Sequence, residues 1–226
     1  MKLQLPIVDL IGIDTNHPEL AIESLNISRS QIGFGRVVLF TCADKSEFDP
    51  ELVSGIDFEQ IPKFEEYIDY STFCLKLGLY CHNEYTLITH WDSFVINPGL
   101  WTGEFLKYDY IGAPWAKVYA KEWSLVNEVG NGGFCLRSKK MLEFSKRWSN
   151  TAGDNEDGFL TNTKYSSAIS EGIKYAPVDV AYKFSVHHLE DVGGAFDPSK
   201  YFGFHGYHNL EAAKEYLKSK QAPCTH

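Results

Sequence analysis

Apolar residues along this chain fall into two rhythms. Short apolar stretches at Leu3 to Ile13, Arg36 to Thr41, Gly55 to Ile61 and Tyr85 to Thr89 read as buried strands. Between the first two, Glu19 to Gln31 reads as a helix with Leu20, Ile22, Leu25 and Ile27 largely inward. Asp14-Thr15-Asn16-His17-Pro18 supplies its start signal, and Gly33 and Gly35 break it. Asp69-Tyr70-Ser71-Thr72 predicts the cap of a further helix running to about Cys81. Strands alternating with helices in this half predict an α/β fold with a mostly parallel sheet wound in βαβ fashion.

The second half changes character. It predicts a short strand at Asp109 to Gly112, then a loop with Pro114 and Trp115. Gly130-Asn131-Gly132-Gly133 is read as a glycine-rich segment leading into a strand. Helices follow at about Ser138 to Trp148 and Glu156 to Glu171. An irregular, aromatic stretch precedes a polar helix from about Leu210 to Ser219.

A length of 226 residues fits one domain, and 44% hydrophobic residues suffice for a sizeable core. The formal charge is -9 with no Lys/Arg run, which disfavours nucleic acid or an anionic membrane as partner. An acidic protein that handles a phosphorylated ligand needs a divalent cation or a local cationic pocket. Cys42, Cys74, Cys81, Cys135 and Cys224 are scattered without a C-x-x-C pair, so buried free thiols are expected. That suits a reducing compartment. With no signal peptide and no apolar run near the ~20 residues of a membrane span, a cytoplasmic location is expected.

Four segments carry candidate chemistry. Tyr85 to Thr89 runs out into His90-Trp91-Asp92 and resumes as a short apolar strand. Side chains two apart on a strand project the same way. Ligands bind at the C-terminal edge of such sheets, so Asp92, with His90, stands where a metal or phosphate would sit. Asp154-Asn155-Glu156-Asp157 reads either as a capped helix start or as the source of a general base. Gly130 to Gly133 leads into a strand and lacks a P-loop Lys-Ser/Thr, against dinucleotide binding. His205, flanked by Gly203 and Gly206 among aromatics, is an unusual late histidine, with His187-His188 as a competing pair. No serine elbow and no zinc spacing occurs.

In order, these segments resemble nucleotide-sugar glycosyltransferases of the GT-A fold. The blocks are similar to those of the small bacterial and viral glycosyltransferase-like family: Tyr70-Ser71-Thr72-Phe73, Asp92-Ser93-Phe94-Val95, Tyr108 to Trp115, Gly130 to Phe134, and Glu156-Asp157. The resemblance covers roughly residues 5 to 208. It implies a nucleotide-binding half at 1–100 and an acceptor-side half at 101–226. It implies Mn²⁺ or Mg²⁺ held by Asp92, the late His205 and His90, the last standing where the family's Asp-x-Asp motif has its first acid. It further implies donor contacts from Asp14, Thr15, Thr41, Asp44, His90, Trp91 and Asp92. Trp115, Asn131, Gly132 and Gly133 would line the sugar site, with Asp157 first and Glu156 second as general base. Lys76 and Arg137 are candidate phosphate partners.

The implied function is metal-dependent, inverting transfer from a nucleotide-sugar, UDP-sugar favoured, to a glycan or other hydroxyl acceptor. The chain would act alone or as one module of a larger glycan synthase. Two rivals remain from the sequence. One is a catalytically silent nucleotide-sugar or glycan-binding module on the same fold; the other is a nucleotide-sugar hydrolase or nucleotidyltransferase.

Overall fold

A computed structural model describes residues 2–122, 124–149, 153–189 and 193–221. The first half alternates as its pattern predicts. It runs β1 (Leu3–Leu5), β2 (Val8–Ile13), α1 (Pro18–Gln31), β3 (Ile32–Phe34), β4 (Val37–Thr41), α2 (Pro50–Val53), β5 (Asp57–Gln60), α3 (Tyr67–Leu75) and β6 (Tyr85–Thr89). The second half continues with β7 (Tyr110–Pro114), α4 (Lys117–Glu122), β8 (Val129–Ser138), α5 (Lys139–Ser145), α6 (Glu156–Gly158), α7 (Tyr165–Ser170), α8 (Val178–Phe184), β9 (Ser185–Val186), β10 (Gly203–Phe204) and α9 (Tyr207–Gln221).

Six strands form the central sheet in the order β5-β4-β2-β6-β8-β7. β5, β4, β2 and β6 are parallel, and β8 is antiparallel to both its neighbours. The fold is therefore mixed α/β with a mostly parallel sheet, as expected. The chain winds outward from β2 to β5, then returns to β6 on the other side of β2. This reversal opens a crevice at the C-terminal ends of β2 and β6.

Adjacent residues of the central strands serve opposite faces. Leu10, Leu39 and Leu87 pack under α1 and α8, with Phe134, Phe184 and Phe202. Ile11, Phe40 and Ile88 pack under α3 and α5, with Leu75, Met141, Leu142 and Leu160. Burial on both faces is why β2, β4 and β6 read as apolar runs; β5, expected to be buried, is a mostly exposed edge strand.

Several boundaries differ from expectation, each for a local reason. α3 starts at Tyr67, because Glu66 is the N-cap and Asp69 is its capping-box partner, accepting from the Glu65 and Glu66 N–H groups at 2.9 and 3.0 Å. It ends at Leu75, and a tight turn at Leu77–Leu79 lets Gly78 abut α5. The continuous helix expected over 156–171 is broken by a wide π turn at Phe159–Thr163. There the Thr161 hydroxyl donates to the Asp157 carbonyl at 2.6 Å, competing with the helical ladder. Among the described residues, the stretch at 94–96 makes a single isolated bridge, from Val95 to Gly203, not a strand. The glycine-rich segment does not lead into a strand; it lies inside β8. β7 extends through Pro114, tolerated because β7 is an edge strand. The aromatic stretch read as irregular contains α8, β9 and β10. Cys74, Cys81 and Cys135 are buried free thiols, whereas Cys42 is exposed. Cys224 lies outside the described residues.

Candidate active site

His90 and Asp92 leave the end of β6 on a tight turn, not on an extended strand. The Ser93 N–H donates to the His90 carbonyl at 3.2 Å, closing the turn. The Ser93 hydroxyl donates to the Gly133 carbonyl and the His90 N–H donates back to that hydroxyl, both at 2.8 Å. The two side chains thus converge through turn geometry, which corrects the period-two reasoning. Asp92 is buried and His90 half-buried.

His205 arrives from the far end of the chain. β9 and β10 pair in parallel, and the His205 N–H donates to the Val186 carbonyl at 2.9 Å. The Gly206 N–H donates to the Asp92 carbonyl at 3.1 Å, tying this loop to the turn after β6. His205 Nε2 then lies 3.4 Å from Asp92 Oδ1. The ligating atoms of His90, Asp92 and His205 all lie within 4.8 Å of one another.

Asn131, on β8, fixes the His205 tautomer. Its Oδ1 accepts the Gly133 N–H at 3.3 Å, so that atom is an oxygen, and His205 Nδ1 is 2.8 Å from it. Nδ1 must carry the hydrogen, which turns Nε2 toward the Asp92 carboxylate. An unprotonated Nε2 would leave two acceptors face to face, so a proton or a cation is needed between them. Two imidazoles and a carboxylate, with an amide orienting one ring, fit a divalent metal. His187 stacks on His205, with ring centres 4.5 Å apart, and its Nδ1 meets the His205 carbonyl at 3.1 Å.

The surrounding charges are consistent with this set. Burial, aided by the charge of His205, pushes the His90 pKa down to about 3. Burial also drives the His187 pKa to about 3. Burial opposes ionisation of Asp92, yet the hydrogen bond and charge of His205 outweigh it, so its pKa is lowered. All three groups are thus held in the form a metal ligand or its neighbour needs.

Two cavities meet at this cluster. One of about 340 Å³ lies over the ends of β2 and β6, lined by Asp14, Thr15, Asn16, Tyr67, Tyr70, His90 and Trp91 among others. The other, about 610 Å³, is lined by His90, Trp115, Asn131, Gly133, Glu156, Asp157, His187 and His205 among others. Tyr67 and His90 line both. Among the described residues, no lysine or arginine lines either cavity.

The acid pair enters from below β8. Asp157 Oδ2 accepts the Gly132 N–H at 3.0 Å, and its Oδ1 accepts the Gly158 N–H at 2.7 Å. Glu156 Oε1 is 3.0 Å from Nη2 of Arg137, which is fully buried. Burial raises both carboxyl pKa values. For Glu156 the Asp157 charge adds to the rise and Arg137 opposes it; for Asp157 the two backbone bonds oppose it. Gly132 and Gly133 are required by close approach. A Cβ at Gly133 would lie 2.2 Å from His205 Nε2, and one at Gly132 would lie 2.7 Å from Glu156 Oε1.

Most residues singled out in the sequence therefore converge: Asp14, Thr15, His90, Trp91, Asp92, Trp115, Asn131, Gly132, Gly133, Glu156, Asp157 and His205. Four do not. Thr41 is buried, with its hydroxyl accepting the Ala43 N–H at 3.3 Å. Asp44 caps the short turn Lys45–Glu47 and lines neither cavity. Arg137 is enclosed with Glu156, and Lys76 donates to the Lys146 and Trp148 carbonyls at 2.7 and 2.8 Å, so neither faces the cleft. Tyr67, Tyr70 and His187 are site residues to which the sequence assigned no role. The Tyr70 block and the His187-His188 pair were the available signals.

The family described as a protein of unknown function, DUF5672, matches residues 55–205. The chain belongs to this family. No curated protein sequence matches it. Among solved structures, it is similar to the galactosyltransferase LgtC in complex with donor and acceptor sugar analogs. The TM-score is 0.56 at 13% identity, covering 96% of this chain and 98% of that one. It is also similar to a glycosyltransferase involved in the glycosylation of the major capsid of PBCV-1. There the TM-score is 0.51 at 13% identity, covering 93% of this chain and 98% of that one. This DUF5672 chain thus has a GT-A glycosyltransferase fold. Among the described residues, no helix is long and apolar enough to cross a membrane.

Proposed function

We propose that this chain is a single-domain, metal-dependent glycosyltransferase that moves a sugar from a nucleotide-sugar, UDP-sugar favoured, to a glycan or other hydroxyl acceptor. The observation that carries this reading is the Asp92–His205–His90 cluster at the meeting of two cavities that, among the described residues, are lined by no lysine or arginine. A diphosphate placed there would need a cation to neutralise it. When bound, Mn²⁺ or Mg²⁺ would neutralise the leaving diphosphate as a Lewis acid.

The chain's own groups do the rest. The smaller cavity takes the nucleoside, with Trp91 and Tyr67 as aromatic walls and Asp14 and Thr15 as polar contacts. The larger cavity takes the transferred sugar and the acceptor, beside Trp115 and Asn131. Asp157 accepts the proton of the acceptor hydroxyl as that oxygen attacks the anomeric carbon. The bond from that carbon to the diphosphate oxygen breaks, its electron pair leaves with the diphosphate, and configuration inverts. Glu156 is pinned by Arg137, which leaves Asp157 as the better base. The free buried thiols favour a cytoplasmic setting, and further modules of a glycan synthase are its proposed partners.

A thermal-shift screen of UDP and GDP with and without Mn²⁺ tests the donor half of this reading. A ligand at ~100 times its dissociation constant adds about 2.7 kcal/mol to native-state stability. Stabilisation that needs both nucleotide and Mn²⁺ supports it; none with either nucleotide counts against it.

A further inference from the structure

The larger cavity has a wall chemistry suited to hydroxyls. Trp115 offers an aromatic surface, and Asn131, Asn155, Asn162 and Thr163 offer amide and hydroxyl groups. Two of the amides are oriented by the fold. Asn162 Oδ1 accepts the Val126 N–H at 2.9 Å, and Asn131 Oδ1 accepts the Gly133 N–H at 3.3 Å. Each therefore keeps its NH₂ to donate to a sugar oxygen. The charge-bearing side chains of this wall other than histidine, among the described residues, are the acids Asp154, Glu156 and Asp157. Arg137 cancels the charge of Glu156, with Nη2 3.0 Å from Oε1. Asp157 is held by the Gly132 and Gly158 N–H groups, and Asp154 Oδ2 accepts the Thr163 hydroxyl at 3.0 Å; such bonds leave a carboxylate's charge in place. All 21 lysines and arginines of the chain lie among the described residues, and none lines this cavity. Lys164, next in sequence to Thr163, turns to the Trp148 ring, 4.2 Å away.

We propose that this cavity admits neutral sugars and rejects acidic ones, so that the transferred sugar is an uncharged hexose or pentose and not a uronic or sialic acid. The proposal rests on the glycosyltransferase reading above and names the class of sugar for it. A carboxylate on the sugar would enter a wall whose uncancelled charges have its own sign. At about 8 Å and an effective dielectric constant of ~20, one such repulsion weakens binding by about tenfold or more. A divalent ion at Asp92 would not reverse this, because the donor diphosphate neutralises it. Recognition of an acidic sugar calls for a guanidinium or ammonium group, and this wall offers amides in its place.

The test measures binding of matched donors to the full chain by calorimetry, with Mn²⁺, without acceptor, and at pH 8, where ordinary histidines are neutral. The pairs are UDP-glucose against UDP-glucuronic acid and GDP-mannose against GDP-mannuronic acid, with UDP and GDP as references. In the pair whose nucleotide binds, the wild type should hold the neutral sugar about tenfold or more tightly than the acid. Asp154→Asn should narrow that gap several-fold, and Asp154→Asn combined with Asp157→Asn should narrow it further. A merely structural role for these acids would shift both donors of a pair alike. No preference for the neutral sugar in the wild type, or a gap that both variants leave unchanged, overturns this inference and leaves the transferase reading standing. No Mn²⁺-dependent binding of UDP or GDP overturns that reading, and the inference with it.

Discussion

His205 Nε2 faces Asp92 Oδ1 across 3.4 Å, although one residue follows β6 and the other lies near the end of the chain. The contact is built twice over. The Gly206 N–H holds the Asp92 carbonyl, and Asn131 holds the other side of the His205 ring. If this pair holds the metal, Asp92→Ala removes metal-dependent nucleotide binding and leaves the fold intact. Far-ultraviolet circular dichroism reports the fold, and the Mn²⁺-dependent thermal shift reports the binding. An unchanged shift in that variant rules the role out.

Gly133→Ala tests the same pair from beneath. The added Cβ would lie 2.2 Å from His205 Nε2, so the ring must leave its place. Affinity for Mn²⁺ should fall by at least the ~10–100-fold typical of lost ligand orientation. Global stability should change far less than Mn²⁺ affinity, because the imidazole is displaced rather than the sheet. Calorimetric titration with Mn²⁺ reads this out, and full retention of affinity would show that His205 is not a ligand.

Asp157→Asn keeps shape and donor binding but cannot accept a proton. The turnover rate should fall by about 10²–10⁴-fold, with the donor dissociation constant nearly constant. Near-normal transfer by Asp157→Asn alongside loss in Glu156→Gln would exchange the two roles. Normal transfer by both would leave the pair a structural feature of the helix start.

The buried acids also set a pH dependence. Burial raises the Asp157 pKa above its ordinary value, so the base becomes ionised only as pH climbs past the usual carboxylate range. Activity should therefore rise with pH on a limb above the free-aspartate value of about 3.9. An acidic limb at or below that value would contradict the assignment. The sign for stability is opposite: a raised folded-state pKa means that the protonated acid is the better-tolerated form, so this contribution is lost as pH rises.

Arg137 and Glu156 form a buried ion pair, with 0% and 3% of their side chains exposed. Arg137→Leu leaves the Glu156 carboxylate unpaired and should destabilise the fold by about 3–5 kcal/mol at neutral pH. Adding Glu156→Gln should recover part of that loss, because the uncompensated charge is gone. Denaturant unfolding of the single and double variants measures the coupling; additive losses would mean that the pair is not energetically linked.

Much of this was legible in the sequence, for identifiable reasons. The unbroken apolar runs of β2, β4 and β6 record burial on both faces, so the parallel sheet could be read directly. Asp92 stood out by its place at the end of a buried strand, His205 by its glycine and aromatic flanks, and Asn131 and the acid pair by the family blocks they resemble. What escaped depends on tertiary contact. The turn at His90 to Ser93 is held by the Gly133 carbonyl on another strand. Gly132 and Gly133 lie inside β8 because side chains from α6 and the His205 loop need the space. Arg137 reads as a free cation until Glu156, nearly twenty positions on, is seen to enclose it. Thr41 ends β4 and Asp44 follows it, where a donor contact is expected, but β4 lies one strand away from the crevice between β2 and β6.

The central claim is metal-dependent sugar transfer centred on Asp92 and His205. The most direct measurement is nucleotide release from a panel of UDP- and GDP-sugars with Mn²⁺, with and without glycan acceptors, using the wild type and Asp92→Ala. The account predicts release by the wild type that needs both Mn²⁺ and an acceptor, and none by Asp92→Ala. Release without an acceptor, nucleotide-sugar binding without turnover on any acceptor, or equal release by the two proteins would contradict it.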